Sequence, residues 1–222
     1  MRGRRGKGTF YLATWVAIAV IGGAAYAVKD VAREEYYLWQ LDSGSKDARK
    51  LAASKLAELG SPRAGARLIR ILAATHDPDW FKSRGESTWD ETTSAHLSGA
   101  AFQHSLAYFT ALRAIKATKA PSLVSLFARE LENTHGPTRY LAILQIGELP
   151  GRRNDAVPAL TRCVLDPEPM NRYFAARVLR LIGSSAGPAG STLRQAVRDP
   201  SPAVRLEAQR AIDTIEQANR SS

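Results

Sequence analysis

The stretch "DPEPMNRYFAARVLRLIG" (166–183) is followed 33 residues later by "DPSPAVRLEAQRAIDTI" (199–215). In both, an arginine follows the opening aspartate by six residues, and Arg139, Arg172 and Arg205 share the 33-residue spacing. Apolar residues follow these arginines at offsets of three, seven and ten, which lie along one face of an α-helix. Each segment therefore predicts the first helix of a repeating unit. The matched positions are Ala142, Ala175 and Ala208, then Ile146, Leu179 and Ile212, then Leu149, Ile182 and Ile215.

A further copy of this pattern lies upstream, and a second helix completes each unit. The upstream copy is Arg49, Ala52, Leu56 and Leu59. The second helices carry their own apolar stripes, at Val124, Phe127 and Leu131, at Val157, Leu160 and Val164, and at Gly190, Leu193 and Val197. Breakers such as Pro150-Gly151 and Gly187-Pro188 separate the two helices of a unit. The copy around His104–Ile115 fits two registers, and both stay open.

A helix pair this short leaves apolar surface exposed, which a neighbouring copy covers in a continuous stack. The sequence therefore predicts an all-α fold, a short α-solenoid of helix pairs over residues 42–222. The arginine that begins each pattern lies on the apolar side, where an unpaired charge is costly. Six residues before it stands Asn133, Asp166 or Asp199. We expect this side chain to face an arginine of its own or the next unit, as a structural pairing.

The motifs "DPSPAVRLEAQRAI" and "DPEPMNRYFAARVLRLIG" resemble the HEAT-repeat family, more closely its short bacterial form named after phycobilisome lyases. The resemblance covers about Asp42 to the C-terminus and is clearest from Asn133 onward. It implies a right-handed solenoid that binds macromolecules, with the second helices on the concave side. Some HEAT-like proteins are enzymes that hold metals with His-Glu pairs. Here the residues after the four histidines are Asp77, Leu97, Ser105 and Gly136.

Residues 9–28, "TFYLATWVAIAVIGGAAYAV", contain no charge, and as a helix they match the thickness of a bilayer. The basic tail 1–8 precedes them, which predicts a cytoplasmic N-terminus and a single-pass membrane protein with an extracytoplasmic, or periplasmic, repeat domain. A signal peptide cleaved after Ala27 is the other possibility. Residues 29–41 are then a helical juxtamembrane stalk, whose aromatic residues face the membrane or dock on the domain.

An insert at residues 75–98, "THDPDWFKSRGESTWDETTSAHLS", interrupts the repeats. Its Trp80, Phe81 and Trp89 argue against plain disorder. The insert could pack over the solenoid edge, bind a partner, or form a metal or catalytic site. Its histidines and carboxylates show no recognised metal spacing, so we predict no catalytic residue, metal or cofactor.

The formal net charge of +10 includes four basic residues among the first eight. The remaining excess is diffuse and lacks the interleaved aromatic residues of a nucleic-acid groove, so nucleic acid is a disfavoured partner. The single cysteine, Cys163, excludes an internal disulfide and is expected to act as a small buried hydrophobe.

The sequence thus predicts a membrane-anchored, non-catalytic scaffold for protein–protein interaction outside the cytoplasm. The expected partner-binding face lies opposite the buried stripe of the second helices, at Arg129, Arg162 and Gln195, with Arg198 nearby. Arginines in a row suit an acidic partner, because each offers a bidentate donor pair. One alternative is a nucleic-acid-binding module with reversed topology. The other is a metal-dependent enzyme that uses the insert.

Overall fold

The computed structural model describes residues 29–74, 99–149 and 152–220, and within these ranges all regular secondary structure is helical. The first helix of the described chain, α1, covers residues 29–43. It is followed by α2 (Lys46–Glu58), α3 (Pro62–Ala74), α4 (Gly99–Ala117), α5 (Ser122–Glu130), α6 (Gly136–Glu148), α7 (Val157–Cys163), α8 (Pro169–Ile182), α9 (Gly190–Ala196) and α10 (Pro202–Arg220). Two 3₁₀ helices, Arg152–Ala156 and Gly183–Ala189, lead directly into α7 and α9.

In chain order the helices alternate as the first and second helices of successive units, α2 and α3, α4 and α5, α6 and α7, and α8 and α9, and α10 takes the first-helix position of the next unit. First helices pack on one another, α6 on α8 and α8 on α10. One hydrophobic core runs through the array from Leu38 to Ile215. The prediction of an all-α fold built from repeated helix pairs is confirmed, and the right-handed sense of the solenoid stays a prediction.

The buried faces follow the offsets read from the sequence. The alanines at offset three, Ala142, Ala175 and Ala208, are completely buried. The aliphatic residues at offset seven and the central residues of the second helices, Phe127 and Leu160 among them, are buried as well. Burial of this kind stabilises each unit by about 25 cal/mol for every Å² of apolar surface removed from water.

The structure selects one register for α4. Tyr108, Ala111 and Ile115 are buried, so Tyr108 stands where the other units have arginine and lies 31 residues before Arg139. The unit is therefore two residues shorter than the 33-residue spacing of the units that follow it. The turn residue that follows, Asn133, is uncharged, in keeping with the absence of an arginine in α4 at this position.

Serine-proline pairs begin two of the helices. Ser61 Oγ accepts from the N–H of Ala64 before α3, and Ser201 Oγ accepts from the N–H of Val204 before α10. Gly183, with a φ of 73°, ends α8 in a conformation that favours glycine. Gly187-Pro188 lies between α8 and α9, where the sequence placed a break, and is part of the 3₁₀ helix that precedes α9. The tighter 3₁₀ winding carries the chain into the short α9 without an open loop.

Helix α1 packs on the repeat array through Leu38 and Leu41, which are buried. Arg67 of α3 donates to the carbonyl of Leu38 at 2.9 Å. Tyr37 packs against the core, whereas Tyr36 and Trp39 are exposed. The residues expected to form a stalk are therefore part of a helix that shares the core of the repeats.

The localisation predicted from the sequence requires correction. None of the helices in the described part of the chain is both long and apolar enough to cross a bilayer. The longest of them, α4 and α10, have 19 residues each, and α10 carries charged side chains along its whole length. The single-pass arrangement with an extracytoplasmic repeat domain finds no support and is not retained. The segment 9–28, the cleavage position after Ala27 and the insert at 75–98 lie outside the described residues.

Candidate interaction surface

Two arginines of the first helices bind the aspartate that opens the following unit. Arg139 donates from Nε and Nη2 to the two carboxylate oxygens of Asp166, at 2.5 and 2.8 Å. Arg172 contacts Asp199 in the same way, at 2.7 and 2.8 Å. The side chains of both arginines are 12% exposed, and those of the aspartates are 4% and 8% exposed. Each unit is thus joined to the next by a bidentate, largely buried ion pair.

The remaining nitrogen of each guanidinium, Nη1, binds the turn that precedes the arginine's own helix. Nη1 of Arg139 donates to the carbonyls of Asn133 and Thr134 at 2.9 and 3.1 Å. Nη1 of Arg172 donates to those of Asp166 and Pro167 at 2.9 and 3.0 Å. Asp166 therefore contacts the preceding unit through its carboxylate and its own unit through its carbonyl. We expected this side chain to face an arginine of its own or the next unit, whereas the carboxylate pairs with the arginine of the preceding unit and the arginine of its own unit binds only the carbonyl.

The aspartates also shape the turns in which they lie. Asp166 Oδ1 accepts from the N–H of Glu168, and Asp199 Oδ1 accepts from the N–H of Ser201, both at 2.9 Å. The hydrogen bond to Asp166 raises the pKa of Arg139, against the opposing effect of burial. With their donors and acceptors occupied inside the protein, these pairs are structural and offer no site to a ligand.

Arg49 and Arg205, the first and last of the four repeat arginines, differ from Arg139 and Arg172 in their contacts. Arg49 donates from Nη2 to the carbonyl of Asp42 at 3.3 Å, and its buried Nε has no hydrogen-bond partner among the described residues. Arg205 is exposed and keeps the two turn contacts, to the carbonyls of Asp199 and Pro200 at 2.7 and 2.9 Å. No carboxylate of the described chain lies on its other edge.

The residues of the predicted partner-binding face, Arg129, Arg162, Gln195 and Arg198, are all exposed. Arg162 pairs with Glu132 at 2.7 Å, and both side chains are more than half exposed. A surface pair of this kind contributes little to stability, but it neutralises the middle of the row. The side chains of Arg129 and Arg198 have no hydrogen bond or ion pair within the described ranges.

An open groove of about 510 Å³ lies at the C-terminal end of α9. It is lined by Leu165, Arg194, Gln195, Ala196, Arg198, Asp199 and Pro200. Leu165 is 52% exposed and supplies an apolar wall. Arg194, like Arg198, has no acidic partner in the part of the chain that the structure describes. The groove therefore combines two uncompensated guanidinium groups with a hydrophobic contact.

A smaller groove of about 190 Å³ lies between α3 and α5, lined by Arg63, Ala66, Arg67, Arg70, Leu126, Arg129 and Glu130. Three of the four arginines that line this groove are neutralised by carboxylates. Arg63 pairs with Glu35, Arg67 with Asp42 at 2.7 Å, and Arg70 donates to both carboxylate oxygens of Glu130, at 2.8 and 2.6 Å. Arg129 is the lining arginine whose charge has no such partner within the described chain.

The repeat geometry agrees with the comparison against known families. Residues 124–213 match the HEAT repeats. This match supports a HEAT-repeat protein and does not address the phycobilisome-lyase subtype. The crystal structure of an engineered protein is similar to the chain, with 18% sequence identity and a TM-score of 0.44. The alignment covers 83% of this chain and 97% of the engineered protein. The search of curated proteins finds no match.

The insert was the one segment in which the sequence allowed a metal or catalytic site. Trp80, Phe81 and Trp89 lie outside the described residues. Across the ranges that are described, no group of His, Cys, Asp and Glu residues could hold a metal ion. Cys163 is buried, and burial, assisted by the charge of Asp166, raises the pKa of its thiol to about 12. A thiol of this kind is held in its unreactive protonated form.

Three residues of the helical array that matter for the surface or its ion pairs were missed from the sequence. Arg194 lines the larger groove, and the carboxylates of Glu130 and Glu207 are buried as partners of arginines on other helices. A usable signal existed for Glu207, because Arg180 precedes it by the same 27 residues that separate Arg139 from Asp166. Glu130 pairs with Arg70 across the insert, where no fixed spacing applies.

Proposed function

We propose that this protein is a non-catalytic scaffold that binds an acidic segment of a partner protein along its second helices. HEAT repeats suggest a protein-interaction scaffold in general, and the particular surface is inferred here from charge. The observation that carries the proposal is the groove at the end of α9, where Arg194 and Arg198 stand without acidic partners. Several arginines elsewhere in the array pair with carboxylates on other helices, as Arg70 does with Glu130.

The chemistry of the groove defines the segment that would fit it. Two guanidinium groups favour carboxylates, since each can donate two parallel hydrogen bonds. The exposed side chain of Leu165 favours an apolar residue between or beside those carboxylates. Gln195 adds an uncharged donor and acceptor at the same site. The proposed ligand is therefore a polypeptide in which acidic residues flank an apolar one.

Arg129 extends this surface to α5 as a second contact point. The row between Arg129 and Arg198 is not a continuous basic stripe, because Glu132 neutralises Arg162. A nucleic acid requires positive charge that follows a backbone over several phosphates, preferably with aromatic side chains for stacking. The arrangement favours a protein partner with separated acidic positions.

The test compares charge reversal in the groove with a matched reversal elsewhere. Arg194→Glu/Arg198→Glu alters the groove, and Arg210→Glu/Arg220→Glu changes the net charge equally on exposed positions of α10. Full-length proteins are crosslinked in cells, and the crosslinked proteins are identified and quantified. We expect the groove variant to lose its principal partner by roughly tenfold or more, while the α10 variant retains it. Circular dichroism and thermal midpoints check that both variants fold.

A second pair of variants, Arg129→Glu and Arg162→Glu, tests the remainder of the face. Loss of crosslinking in Arg129→Glu, with a smaller effect in Arg162→Glu, is expected because Arg162 is already neutralised by Glu132. If every co-purifying partner is retained in the groove variant and in both of these, the second-helix face is not the binding surface. Steeply salt-dependent binding of duplex DNA by the wild-type protein would instead identify a nucleic-acid-binding module.

A further inference from the structure

Helix α10 carries an arginine, Arg205, that has no carboxylate partner among the described residues. Arg139 and Arg172 each bind two turn carbonyls through Nη1 and one aspartate through Nε and Nη2. Arg205 makes the same two carbonyl contacts, at 2.7 and 2.9 Å, so its guanidinium is held in the equivalent orientation. Its Nε and Nη2 have no partner among residues 29–74, 99–149 and 152–220.

The surface around Arg205 is more exposed to solvent than the surface around Arg139. Tyr140 and Ile143 of α6 are buried, whereas Leu206 and Gln209, at the corresponding positions of α10, are exposed. The exposed polar residues of this face, including Asp213, make it unsuited to an extensive apolar stack. A ligand could therefore contact Nε and Nη2 of Arg205 and the side chain of Leu206 beside them.

We propose that Arg205 is a docking point for an aspartate in an Asp-Pro turn of a partner protein, which takes the place that Asp166 and Asp199 occupy inside the array. The two internal pairs show the required ligand. In both, the carboxylate faces the guanidinium edge while one of its oxygens also accepts an N–H from the residue two positions later. A preformed turn of this kind presents its carboxylate without further ordering, so it suits a rigid arginine better than a flexible acidic side chain does.

This docking point is separate from the groove at α9, although the turn at Asp199-Pro200 touches both. The groove relies on Arg194 and Arg198, and the docking point on Nε and Nη2 of Arg205. An acidic segment could occupy the groove with Arg205 free, and the reverse also holds. The two proposals therefore stand or fall independently.

The experiment uses the full-length protein and three short peptides with blocked ends. They are DPSPAV, which copies residues 199–204, and the variants NPSPAV and EPSPAV. The Nε–Hε resonances of the arginines are followed by NMR during titration, with Arg139 and Arg172 as internal references for the paired state. We expect DPSPAV to shift the Arg205 resonance towards the paired position, with a dissociation constant on the order of 1–10 mM, because a single exposed pair is weak. NPSPAV should produce no shift, and EPSPAV should bind roughly fivefold more weakly.

Arg205→Lys keeps the charge and removes the bidentate edge, and Arg220→Lys is the matched control on the same helix. Binding is then read from DPSPAV carrying a ¹³C label at the aspartate carboxylate. A loss of roughly fivefold or more in Arg205→Lys, and none in Arg220→Lys or in Arg194→Ser/Arg198→Ser, supports the docking point. Equal shifts of Arg205, Arg210 and Arg220 with DPSPAV and EPSPAV would overturn it, as would binding that depends on Arg194 and Arg198. If Arg205→Lys fails to fold, the titration of the wild-type resonances decides the question alone.

Discussion

Arg172 holds Asp199 through two parallel hydrogen bonds of 2.7 and 2.8 Å, across the boundary between two repeats. The same guanidinium binds the carbonyls of Asp166 and Pro167 in its own unit. One side chain therefore fixes the turn before its helix and the turn that follows its unit. Since Arg139 does the same one unit earlier, these contacts set the stacking of successive units at a repeated point.

Breaking the Arg172–Asp199 pair should destabilise the protein far more than breaking an exposed pair. Asp199→Ala leaves the arginine buried without a counter-charge, and we expect a loss of ~3–5 kcal/mol in the free energy of unfolding. Asp199→Asn keeps an acceptor for the N–H of Ser201 and should cost ~1–3 kcal/mol. Glu132→Ala, which breaks the exposed pair with Arg162, should cost less than ~1 kcal/mol. Urea denaturation measures the unfolding free energies of the three variants. Equal losses in Asp199→Ala and Glu132→Ala would contradict the stabilising role of the arginine–aspartate pairs between units.

The same pair predicts a pH dependence. Burial acts to raise the pKa of Asp199, but the hydrogen bonds from Arg172 and from the N–H of Ser201 outweigh it, so the net pKa lies below 3.8. A carboxyl whose pKa is lower in the folded state stabilises the protein above its unfolded pKa and loses this contribution as pH falls through the folded value. The difference in unfolding free energy between wild type and Asp199→Asn should therefore be constant from pH 7 to about 5. It should shrink below about pH 4, and a difference that stays constant down to pH 3 would disprove the linkage.

The repeat register was predictable because the apolar residues that recur with helical periodicity are the residues that the fold buries. Ala175 and Leu179 lie on the face of α8 that the sequence pattern selects, and both are completely buried. The pattern failed in α4, where Tyr108 replaces arginine and the unit is shortened by two residues. A single sequence could not show that substitution, since tyrosine is intermediate in its tendency to be buried.

The candidate surface was less predictable than the core. Arg162 matches the helical row that the sequence defines, but its charge is neutralised by Glu132 from the preceding unit. Arg194 lies off that row and reaches the groove because the end of α9 meets the turn at Asp199. Both facts depend on how neighbouring units stack, which helical periodicity within one unit does not contain.

Packing between the first helices should tolerate neither enlargement nor truncation. Ala175→Leu adds volume at a completely buried contact and should cost ~1–3 kcal/mol in unfolding free energy. Leu179→Ala opens a cavity and should cost ~2–5 kcal/mol. Leu181→Ala, at a position 50% exposed on the same helix, is the control and should change stability by less than ~1 kcal/mol. Unchanged denaturation midpoints in the first two variants would refute the register.

Cys163 should be protected from alkylation until the array unfolds. Its thiol is buried, and its pKa of about 12 compares with an ordinary value of 9.0. At pH 8 the thiolate fraction is lower by roughly a thousandfold, and the thiolate is the form that reacts. We expect iodoacetamide to label native protein at least ~100-fold more slowly than protein in 6 M guanidinium chloride, with the extent of labelling read by mass spectrometry.

Leu160→Ala removes a completely buried neighbour in α7 and should speed native labelling by favouring local opening. Rapid native labelling of the wild type at pH 8 would show that Cys163 is accessible and place α7 outside the core.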